Sequence, residues 1–153
     1  MQPKMSSIAK PAAERSFDPN PSQIRTASEW LNDVGASLHI PLGALNRLNV
    51  CLNEAMANII DHGGEGGRAA PLRLFISVEI LQPSSGAAAL TVCDSGKKFD
   101  PTTYTSAPLP TSLNDALPGG LGIILIRSNA NTVAYSYSDG TNQLTMTVGW
   151  QAV

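Results

Sequence analysis

Glu54 and Asn58 stand four residues apart in the segment Leu52-Asn53-Glu54-Ala55-Met56-Ala57-Asn58-Ile59-Ile60-Asp61-His62. Each residue of an α-helix turns by about 100°, so these two side chains project only about 40° apart. A carboxylate and a carboxamide stacked in this way can hold a hydrated cation and position a proton acceptor. Mg2+ takes oxygen ligands and keeps several waters, so one amide oxygen plus phosphate oxygens suffices. A neighbouring carboxylate can orient or deprotonate an attacking group. Asp61 and His62 extend the stripe by one turn, while Leu45, Leu48, Leu52, Ala55 and Ile59 share the opposite side, as on a core-facing helix. Taken alone, the stripe is more simply the wet face of an amphipathic helix.

Two further segments carry chemistry. In Val92-Cys93-Asp94-Ser95-Gly96-Lys97-Lys98-Phe99-Asp100-Pro101 an aspartate ends an apolar run and a glycine follows. Such a carboxylate is a good acceptor for an exocyclic amine, and the glycine lets a flat ring approach bare backbone. In isolation the segment is an ordinary Asp-Ser-Gly turn, and Lys97 and Lys98 are a solvated pair. Gly119-Gly120-Leu121-Gly122 opens the apolar run Ile123-Ile124-Leu125-Ile126. A helix starting there would turn unpaired N–H groups and a positive dipole end toward an anion such as phosphate. It is not a Walker A loop, because no Gly-Lys-Ser/Thr follows, and no strand-turn-helix dinucleotide fingerprint is present.

The elements that must position these groups are legible from periodicity. Residues 1–20 are polar and irregular, with a possible edge strand around Ser7 to Ala13. The folded unit is expected to span 21–153. Pro21 and Ser22 open a helix with Ile24, Ala27, Leu31, Val34 and Leu38 on one face. Pro41 starts a second, running to about His62 and stopped by Gly63-Gly64. Leu72, Leu74, Ile76, Val78 and Ile80 alternate as a half-buried strand. After a turn at Ser84-Ser85-Gly86, a second strand runs from Ala89 to Cys93 and ends at Asp94. The chain then loses periodicity to Pro118, a length that in a compact domain is functional or disordered. Alternation on both sides of Asp139-Gly140 marks a hairpin of Val133-Tyr135-Tyr137 with Leu144-Met146-Val148-Trp150. The expected fold class is α+β: an α/β sandwich of one antiparallel or mixed sheet covered by helices on one face.

Composition narrows the classes. The chain of 153 residues suits one domain with a real core. A net charge of −2 suggests no direct nucleic-acid or membrane surface. Cys51 and Cys93 make no disulfide framework and read as buried thiols in a reducing compartment. No apolar run reaches membrane-span length and no secretory signal is recognisable, which points to a cytoplasmic protein.

The three segments together, in order and spacing, resemble the nucleotide-binding boxes of the GHKL (Bergerat-fold) ATPase superfamily, which includes histidine kinases, gyrase-type topoisomerases and MutL. Glu54-Ala55-Met56-Ala57-Asn58 with His62 looks like the N box, Asp94 to Pro101 like the first glycine box, and Gly119-Gly120-Leu121-Gly122-Ile123 like the second. The Phe-Asp-Pro tail, the Gly-Gly-Leu-Gly-Ile stretch and the small size resemble the bacterial anti-sigma-factor serine kinases of the RsbW/SpoIIAB type. The resemblance runs from about Pro21 to Trp150. It implies ATP and Mg2+ as cofactors, with Asn58 on the metal and Glu54 as general base. It puts Asp94 on the adenine amino group, with Gly96 beside the ring. Gly120, Leu121, Gly122 and Ile123 would hold the phosphates, and 101–118 would be the ATP lid. It implies phosphorylation of a serine on an anti-anti-sigma (STAS-domain) partner, competition between that partner and a sigma factor, and a homodimer. A switch protein of the same fold that binds ATP without transferring phosphate is the alternative.

The chain departs from the family in three places. Ile59 follows the asparagine where a small residue is usual, and Gly63-Gly64 replaces Ala plus an aromatic. Ala130-Asn131-Thr132 replaces a Met-Asp-Glu-like run. None removes a chemical group, but all bear on which partner surface is kept. His62 reads as a structural histidine at the helix end, and His39 as a loop or helix-end residue with no assigned role.

Overall fold

A computed structural model describes residues 11–62, 70–82, 85–103 and 120–151. Along the chain run β1 (Ala13–Phe17), α1 (Ser22–Ser37), α2 (Leu42–His62), β2 (Leu72–Gln82), β3 (Ser85–Asp94), a single 3-10 turn (Pro101–Thr103), α3 (Gly120–Asn129), β4 (Thr132–Ser138) and β5 (Thr141–Trp150). The strands form one sheet in the order β1-β2-β3-β5-β4. All four pairings are antiparallel. A mixed sheet, one of the two arrangements expected, does not form among the described residues. β3 and β4 run in the same direction, but the hairpin inserts β5 between them, so neither finds a parallel neighbour.

The period-2 pattern sorts the two faces. Leu72, Leu74 and Ile76 of β2, Leu90 and Val92 of β3, and Met146 and Val148 of β5 lie buried against Leu31, Leu48, Leu52, Met56, Ile123 and Ile126 of the helices. Fully burying one such side chain stabilises the fold by about 1.5–3 kcal/mol. α2 is the central helix, and its buried residues Leu45, Leu48, Leu52 and Ala55 belong to the stripe expected from the sequence, whose last member, Ile59, is half-buried and lines the cleft beside Asn58. Cys51 and Cys93 are both buried free thiols, and burial pushes each up to about 11. They are inert at neutral pH.

Boundaries differ from expectation where tertiary contacts decide them. The edge strand is Ala13–Phe17, beginning where the expected one ended, while residues 1–10 lie outside the described residues. Phe17 fixes its register: it is 2% exposed and meets Trp30 of α1 edge-on at 5.9 Å. β3 starts at Ser85, because Ser85 and Gly86 pair with β2 instead of forming a turn. Asp139 (φ 52) and Gly140 (φ 75) form the two-residue hairpin loop, whose backbone twist matches the flanking strands. Residues 63–69 of an expected glycine-rich turn over 63–70, and residues 104–118 of the expected lid over 101–118, lie outside the described residues, as does Gly119.

Candidate nucleotide site

α2 is held by its apolar face, so its register fixes where Glu54 and Asn58 emerge. Both are half-buried. They face the first turn of α3, where Gly122 is buried: a Cβ added to it would stand 3.2 Å from Asn58 Oδ1 and 3.2 Å from Glu54 Oε2. Two segments that are 64 residues apart in sequence (58 to 122) therefore meet at side-chain distance. Gly120, Leu121 and Gly122 occupy the helix's first turn, where a helix leaves its N–H groups without internal partners and its dipole is positive. Ile123 stands one position further in, with its side chain fully buried, and anchors the turn to the core.

Asp94 approaches from the other side, at the end of β3 and paired in register with Asn142 of β5. Its Oδ1 accepts the Gly96 N–H at 2.8 Å and the Asn142 amide at 3.1 Å. Oδ2 accepts no hydrogen bond among the described residues. Burial raises the Asp94 carboxyl above its ordinary value of 3.8, opposed by the bonds from Gly96 and Asn142. Asp94 and Asn58 line one cleft, with Ala55, Ile59, Pro101 and Leu144 as apolar wall. An acceptor-only group on an apolar wall suits a flat heterocycle with an amino edge. Asn58, which lines the cleft, and Glu54 beside it bring their oxygens to Gly122 at the start of α3, a ligand set that fits Mg2+ shared with phosphates.

Of the expected residues, Glu54 and Asn58 converge on Gly122, while Asp94, bonded to the Gly96 N–H, lines the cleft together with Asn58. Asp61 is exposed, and Lys97 lines the cleft. Lys98 turns away, its ammonium 5.6 Å from the Tyr137 ring. Three more residues, to which the sequence reading gives no role in binding, line the cleft. His62 ends α2 but also lines the cleft, stacked on Phe99 with centroids 5.5 Å apart and planes at 22°. Asn142 and Tyr135 complete the wall, and the Tyr135 hydroxyl donates to Asn142 Oδ1. The only signal for Asn142 was its place just after the Asp139-Gly140 turn, which becomes informative once β5 is paired with β3.

With this geometry in hand, comparison with known proteins gives a consistent result. The histidine kinase-like ATPase domain family matches residues 17–148. The chain belongs to that family. It is 37% identical over 100 residues to the serine/threonine-protein kinase BtrW of Bordetella bronchiseptica, covering 65% of this chain and 67% of BtrW. Two solved structures share the fold at 13% identity. The SiaB-SiaC complex from Pseudomonas aeruginosa superposes with a TM-score of 0.64, covering 90% of this chain and 89% of the other. The RsbU and RsbW domains of a Mycobacterium tuberculosis protein superpose with 0.63, covering 94% of this chain but 34% of that longer one. No described helix is long and apolar enough to cross a membrane.

Proposed function

We propose that this protein is an ATP-dependent protein serine kinase that acts in a partner switch as an anti-sigma factor. The observation that carries the reading is the convergence on Gly122. A carboxylate and a carboxamide face a glycine at a helix start, and the carboxamide also lines a cleft shared with a buried aspartate. The likeness to BtrW, named as a serine/threonine-protein kinase, supports the transfer reaction.

Asp94 accepts the 6-amino group of adenine through Oδ2, and Gly96 admits the ring. The first-turn amides of α3 and its dipole hold the phosphates. Asn58, beside Glu54, holds Mg2+, which when bound neutralises phosphate charge. Glu54 accepts the proton of the partner's serine as its oxygen bonds to the γ-phosphorus. The bond from that phosphorus to the bridging oxygen breaks, leaving ADP and a phosphoserine. The substrate is an anti-anti-sigma STAS-domain protein, which in its unphosphorylated form competes with a sigma factor for this chain. The working unit is a homodimer in the cytoplasm.

Incubation with Mg-ATP and a STAS-domain partner tests this directly. The account expects one phosphate, about 80 Da by intact mass, on a serine of the partner. An unmodified partner together with clear ATP binding would leave only a non-transferring ATP-binding protein.

A further inference from the structure

Asn142 is 5% exposed and makes more hydrogen bonds than any other described side chain in the cleft. Its Nδ2 faces three oxygens: Asp94 Oδ1 at 3.1 Å, Gly96 O at 3.2 Å and Lys97 O at 2.9 Å. Its Oδ1 accepts the Phe99 N–H at 3.2 Å and the Tyr135 hydroxyl. The amide can stand only this way round, because flipping it would set an oxygen against three oxygens and an NH2 against an N–H. Among the described residues both donors to Asp94, from Gly96 and Asn142, fall on Oδ1, and Oδ2 is the oxygen left for a ligand.

We propose that Asn142 is the positioning residue that selects a 6-amino over a 6-oxo purine. By donating to Oδ1 it keeps Asp94 an ionised, pure acceptor whose Oδ2 remains for the ligand. The proposal rests on Asp94 meeting the purine. Were Asp94 protonated, the proton would sit on Oδ2, since Oδ1 already receives two donors. The ligand-facing atom would then donate, which suits the carbonyl of a 6-oxo purine. Burial pushes the carboxyl in that direction, and Asn142 and Gly96 oppose it. The other described titratable groups that line a pocket with Asp94 are His62 of α2, Lys97 after β3 and Tyr135 of β4, with Cys93, Arg73 and Asp139 lining the far face of the sheet. None of them donates to Asp94. The backbone N–H of Gly96 cannot be mutated away, which leaves Asn142 as the adjustable donor.

The test is calorimetric titration of the wild type, Asn142→Leu and Asn142→Asp with Mg-ATP and Mg-ITP, repeated across the acid pH range. ITP carries an oxygen where ATP carries the amino group. The wild type is expected to prefer ATP by about 100-fold or more, as a site built around one hydrogen-bonding edge should. In Asn142→Leu the preference is expected to fall to about tenfold or below, and the acid limit of ATP binding to move up by about one pH unit. Asn142→Asp matches the native side chain in size and keeps an oxygen toward Phe99 and Tyr135, so it carries the comparison if the leucine variant does not fold. Its preference should fall as well. Equal losses of ATP and ITP in the variants, with the acid limit unmoved, overturn the selecting role and leave Asn142 a loop staple. A wild type that binds ATP and ITP alike overturns the adenine role of Asp94, and this role with it.

Discussion

A β-carbon on Gly122 would stand 3.2 Å from the amide oxygen of Asn58. That distance is tighter than ordinary van der Waals contact, so the two side chains around it would have to give way. Gly122→Ala is therefore expected to weaken Mg-ATP about tenfold by crowding Asn58 and Glu54. It should not lower stability, because alanine is favoured over glycine in a helix by about 1 kcal/mol. Titration calorimetry and thermal melting on the same sample separate the two effects. Unchanged affinity would take this glycine out of the phosphate end of the site.

Asp94 predicts a pH dependence with a definite sign. Its carboxyl is raised by burial, so the folded protein binds that proton more tightly than the unfolded chain does. This group's contribution to stability therefore falls as pH rises through the interval from 3.8 to its higher folded value, and recovers as pH falls. Nucleotide binding runs the other way. The adenine amine needs the anion, so ATP affinity should hold at neutral pH and drop as pH falls through the folded value. Asp94→Asn should weaken ATP and flatten this drop while leaving pyrophosphate binding close to wild type. Equal weakening of ATP and pyrophosphate would separate Asp94 from the adenine.

His39 provides a test of the scaffold alone. It closes α1 in a left-handed conformation (φ 61), and Ile40 N–H bonds back to Gly35 O at 2.9 Å. Glycine is the residue that adopts this geometry without strain. His39→Gly should raise stability by about 0.5–1 kcal/mol, seen as a higher urea midpoint, with ATP affinity unchanged.

The contrast between α2 and Asn142 explains what the sequence made legible. The buried face of α2 and the Asp139-Gly140 hairpin are local patterns, and periodicity plus one turn pair was enough to find them. The role of Asn142 depends on β5 lying beside β3 in a register that sets it opposite Asp94, and nothing in either segment specifies that pairing. His62 was assigned to structure because it lies off the Glu54–Asn58 line. Its stacking partner Phe99 comes from a loop whose path only the folded sheet determines. The edge strand was misplaced for a related reason: its register follows from Phe17 meeting Trp30 and the core, a contact between separate elements.

Glu54 is where the kinase reading is most exposed, since an ATP-binding switch needs Asn58 and Asp94 but no base. The decisive measurement is single-turnover phosphotransfer from Mg-ATP to a STAS-domain partner by Glu54→Gln, with ATP affinity measured in parallel. Glutamine keeps the size of the side chain and removes its basicity. The account predicts ATP affinity within about threefold of wild type and transfer slowed by about 100-fold or more. Transfer at the wild-type rate would contradict it.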